Sequence, residues 1–115
     1  MLTEQQKRAL AESIVDCIES ALTTKFGDNI HRVIFANLDI KFGLKRKDVA
    51  SHPEEFEQTL DEIFGTGTAS GIIKRSIFNE LANRFQIFGS DYYERNPNHE
   101  RIISNAIKEI LHNAE

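Results

Sequence analysis

Apolar residues recur at every fourth position over two long stretches of this chain: Ile30, Ile34, Leu38 and Phe42, then Ile73, Ile77, Leu81 and Phe85. That spacing lays each set along one side of an α-helix, with Val33 and Phe35 widening the first stripe and Ile72 and Phe78 the second. The first of these helices is predicted to begin near Asp28. A strand is the rival reading for its end, because Leu38, Asp39, Ile40, Lys41 and Phe42 alternate apolar and polar. Helix is preferred, since the four-residue spacing spans the whole segment and the alternation only its last residues.

Three further helices follow from the same logic. Leu10, Ile14, Cys17, Ile18, Ala21 and Leu22 form an apolar stripe over residues 3–23, and Thr3 with Gln6 fits a capping box. Ser51 as cap, then Pro53, Glu54 and Glu55, make a strong helix start, and Phe56, Leu60, Ile63 and Phe64 supply that helix with a buried face. Asn96 and Pro97 restart a helix over about 97–113 that carries Ile102, Ile103, Ala106, Ile107, Ile110 and Leu111. Between the second and third helices lies a basic connector anchored by Val49. The expected fold is all-α: one domain over 1–115, a bundle of about five helices.

Phe-Gly pairs at 26–27, 42–43, 64–65 and 88–89 take four of the six glycines and half of the eight phenylalanines. Each falls at or just beyond a predicted helix end, where glycine can adopt the conformation that terminates a helix while the aromatic ring folds back into the core. Phe26-Gly27, Ile30, Ile34, Leu38, Phe42-Gly43-Leu44, Pro53-Glu54, Phe56, Leu60, Ile63-Phe64-Gly65, Gly67, Ile73, Ile77, Leu81 and Phe85, in that order, resemble the Nitrosopumilus output domain family, a group of small archaeal helical domains. The resemblance covers residues 25–88, and the helices over 3–23 and 97–113 flank it. It implies an all-helical domain on the output side of signalling proteins, and it brings no catalytic residues with it.

Fourteen basic against eighteen acidic side chains give a net charge of −4. This is the opposite of the balance expected of a dedicated nucleic-acid-binding domain. Cys17 is the only cysteine, which rules out an intramolecular disulfide and a Cys-rich zinc site, and its place on an apolar stripe predicts a buried, inert thiol. The N-terminal residues lack the apolar run of a signal peptide, and no apolar stretch is long enough to span a membrane. The expectation is a cytoplasmic protein.

No catalytic signature emerges, and no cofactor is expected. Asp28 with His31 and Glu109 with His112 have the carboxylate-to-histidine spacing of dimetal bundles, but both pairs lie at helix ends, and no metal site is assigned. His52 and His99 read as surface residues. The turn over 65–71 fits neither dinucleotide nor P-loop spacing, so it reads first as an interhelix turn with a capping threonine and small residues for close packing. Gly67, Thr68, Lys74 and Arg75 form an alternative anion site there. Residues 25–50 carry six positive and three negative side chains, including Lys45, Arg46 and Lys47, while residues 51–64 carry five acids and no base. The two halves either attract each other or steer a partner.

Lys45, Arg46 and Lys47, with Tyr92 and Tyr93, are therefore the candidate partner contacts. The broad apolar face of the last helix is the candidate for homo-oligomerisation. The expected function is a non-enzymatic regulatory or protein-interaction module. A small-molecule or anion sensor at the 65–71 turn is the alternative, and a nucleic-acid accessory role through Lys45, Arg46 and Lys47 the weaker one.

Overall fold

Thr3 and Gln6 start the first helix as their spacing predicts. The Gln6 amide donates to Thr3 Oγ1 at 3.1 Å and the Thr3 amide to Gln6 Oε1 at 2.9 Å, closing a capping box. In the computed structural model, which describes residues 2–87 and 101–114, five α-helices follow: α1 Glu4–Phe26, α2 Asp28–Phe42, α3 Pro53–Phe64, α4 Thr68–Phe85 and α5 Ile102–Asn113. A single 3-10 turn, Arg46–Asp48, lies between α2 and α3. No strand occurs among the described residues. Helix α4 is central, packing most extensively against α1 and then against α5 and α3, while α2 lies at the periphery against α1 and α3.

The apolar stripes meet in one core. Ile14, Ile18 and Leu22 of α1, Ile34 and Leu38 of α2, Phe56 and Leu60 of α3, Ile77, Phe78 and Leu81 of α4, and Ile103 and Ile107 of α5 are fully buried. Val49 is buried as well and anchors the connector. Three Phe-Gly pairs end helices as expected: Phe26, Phe42 and Phe64 fold back against the core, and Gly27, Gly43 and Gly65 all have positive φ. Only Gly43 (φ 66°, ψ 23°) is left-handed helical. Gly27 (85°, 173°) and Gly65 (77°, −177°) occupy a region open essentially to glycine alone. The fourth pair, Phe88-Gly89, lies outside the described residues, and α4 ends instead at Gln86, itself left-handed.

Several local expectations are corrected. Helix α1 runs three residues beyond Thr23. Ser51 does not cap α3: its hydroxyl donates to the Asp48 carbonyl, and His52 takes the cap position. The cap position of α4 is taken by Gly67 and not by a threonine, and the glycines at 65, 67 and 71 face open space, so they serve no close packing. Arg101 has non-helical backbone (φ −123°, ψ 31°), so α5 starts at Ile102 and no single helix runs on from Pro97. Asn96 and Pro97 lie outside the described residues.

The alternation at the end of α2 proves misleading for a simple reason. In a helix Leu38 and Phe42 share a side and Ile40 falls opposite, and Ile40 is accordingly 85% exposed while Leu38 is buried. Val33 and Ile72 also fall outside the buried stripes, at 45% and 55% exposure.

Because an added Cβ meets nothing at Gly27 or Gly65, alanine there costs backbone strain alone. Gly27→Ala and Gly65→Ala should each lower the unfolding free energy by about 1–3 kcal/mol in urea titration. Gly71→Ala, within α4 and facing open space, should raise it by roughly 0.5–1 kcal/mol. Equal effects at the three positions would contradict this account of the helix ends.

Candidate functional site

The first turn of α5 leaves backbone N–H groups without intrahelical acceptors, and Arg101 at its cap provides no side-chain acceptor. Glu57 of α3 provides it from another helix. Its Oε1 accepts from the Ser104 amide at 2.9 Å and its Oε2 from the Ile103 amide at 3.2 Å. Lys74 of α4 reaches the same carboxylate at 3.3 Å and Asp61 of α3 at 2.9 Å, and the Ser70 hydroxyl donates to Asp61 at 3.1 Å. Glu57 is only 3% exposed and Lys74 6%. Burial pushes the Glu57 carboxyl above the ordinary glutamate range, against the α5 amides and Lys74, which favour its charged form.

A cleft of about 380 Å³ opens beside this cluster, lined by Glu54, Glu57, Gln58, Asp61, Thr66, Arg101 and Ser104. The anion site expected at the neighbouring turn is not assembled. Gly67 and Thr68 are exposed at the start of α4, but Lys74 turns inward to Glu57 and Asp61, away from the exposed Arg75 beside it in sequence. With three carboxylates facing one guanidinium, the cleft beside the turn presents acceptors where an anion needs donors.

The basic run is likewise engaged within the chain. Arg46 binds three acids on one side of α1: Glu19 through Nε at 2.9 Å, Asp16 through Nη2 at 2.6 Å, and Glu12. Lys45 pairs with Asp39, and Lys47 is exposed. His31 lies 2.6 Å from the other oxygen of Glu19 and does not partner Asp28. Burial works to raise the Glu19 carboxyl, but hydrogen bonds from Arg46 and His31 outweigh it and hold the group below the ordinary range. The attraction expected between residues 25–50 and 51–64 is made by Lys41 and Glu62 alone among the described ion pairs. Arg46 is therefore a clamp between the connector and α1. Tyr92, Tyr93 and His99 lie outside the described residues.

Other candidates resolve similarly. Ile102, Ile103, Ala106, Ile107 and Ile110 are buried within the chain and Leu111 packs on the core, so the face of α5 expected to mediate assembly is not available for it. Cys17 is buried, and burial pushes its thiol up to about 11. No group of three or more metal-ligating side chains occurs among the described residues, and no helix among them is long and apolar enough to cross a membrane.

Among the described residues the large apolar side chains left exposed are Val33 and Ile40 on α2 and Ile72 on α4. Val33 and Ile40, two turns apart, share the outer side of α2 with the exposed Ala36 and Asn37. A shallow groove of about 340 Å³ adjoins it, floored by Phe35, Ala36 and Leu44 and rimmed by Glu19, His31, Asp39, Lys45 and Arg46. The chain matches no family model, no curated protein and no solved structure.

Sequence periodicity misses the Glu57 and Lys74 cluster, although a signal is present. Glu57 follows Phe56 by one residue and precedes Leu60 by three, and Lys74 stands in the same relation to Ile73 and Ile77. Each charge thus sits inside the apolar arc of its helix, and the two have opposite sign.

Lys74→Met removes one partner of a buried pair and should cost about 3–5 kcal/mol in urea unfolding. Glu57→Ala should in addition speed hydrogen exchange at the Ile103 and Ser104 amides relative to the rest of α5. Unchanged exchange there would exclude the capping role.

The two carboxylates also predict opposite pH slopes. Above the ordinary value of 4.5 and up to its raised folded value, Glu57 binds more proton in the folded state, so its contribution to stability falls as pH rises through that window. Glu19 stabilises above 4.5, and that stabilisation is lost as pH falls through its lowered folded value. In pH-dependent denaturation, Glu57→Gln should abolish the first slope and Arg46→Met should flatten the second.

Proposed function

We propose that this chain is a non-enzymatic protein-interaction module whose contact face is the outer side of α2. The observation that carries this reading is Ile40, a large β-branched residue at 85% exposure, aligned with Val33 and continuous through Ala36 with an apolar groove. Scattered exposed apolar residues are ordinary on a protein surface, but an aligned set with an apolar groove beside it is the pattern of an interaction site. The polar rim of Glu19, Asp39, Lys45 and Arg46 is already ion-paired and held in fixed geometry, as the periphery of a contact surface requires.

The buried ionisable groups have structural work that fits a binding module better than a catalyst. Glu57 caps α5, Lys74 neutralises it, and the Cys17 thiol is far from the pKa of a nucleophile. An anion sensor at the 65–71 turn finds no comparable support, because the acids of the adjacent cleft oppose it. The resemblance to the Nitrosopumilus output domain family accords with an interaction role.

Ile40→Lys should leave the urea unfolding free energy within about 0.5 kcal/mol of wild type, since the fold does not bury this side chain. A photo-cross-linking residue placed at position 33 should form discrete adducts in cells, and Ile40→Lys should abolish them. The same residue at exposed position 79 on α4 should form none. Adducts of equal yield at 33 and 79, insensitive to Ile40→Lys, would overturn the reading.

A further inference from the structure

We draw no further inference here: the strongest candidate, the cleft between α3 and α5 walled by Glu54, Glu57 and Asp61, is an acidic cluster whose carboxylates are already bound within the chain by Lys108, Lys74, Ser70 and the α5 amides, and nothing among the described residues shows what would occupy it.

Discussion

Glu57 connects three helices through one carboxylate. Each oxygen accepts an amide from the first turn of α5, and Lys74 joins the same group to α4 and, through Asp61, back to α3. Such a group is costly to bury and more costly to leave unpartnered, so its geometry tolerates little displacement. Hydrophobic burial alone permits helices to slide past one another, whereas a carboxylate bonded to two specific amides fixes the register of α5 against α3. The position of α5 then determines which of its faces meets α4, and with it the burial of Ile103, Ala106 and Ile107.

A second polar clamp differs in kind. Arg46 holds the connector to α1 through carboxylates that remain in contact with solvent, where an ion pair contributes less and is screened by salt. It closes the path from α2 to α3 and keeps α2 against α1. Beside it Lys45 pairs with Asp39, while Lys47 is exposed.

The helices were legible from the sequence because four-residue apolar spacing and Phe-Gly ends are local signals. The end of α2 at Gly43 follows from them, and the capping box at Thr3 follows from an equally local signal, its spacing to Gln6. What periodicity could not reveal was partnership between helices. The last helix carries enough apolar residues to suggest an assembly surface, yet three-dimensional packing buries them in one chain. Lys74 and Arg75 look equivalent in sequence, but one lies in the core and the other on the surface, since adjacent helical residues point about 100° apart. Ile40 is the reverse case: alternation made it look like part of a buried strand face, and the helix turns it outward.

Helix α5 is bound into the fold through Glu57, whereas α2 keeps Val33 and Ile40 outside it. Amide NMR of the full chain carrying Glu57→Ala or Ile40→Lys reads both halves of this arrangement residue by residue. Glu57→Ala should displace the α5 amides, those of Ile103 and Ser104 foremost, while Ile40→Lys should disturb only its neighbours on the outer side of α2. An unmoved α5 in Glu57→Ala, or shifts throughout the core in Ile40→Lys, would rule the arrangement out.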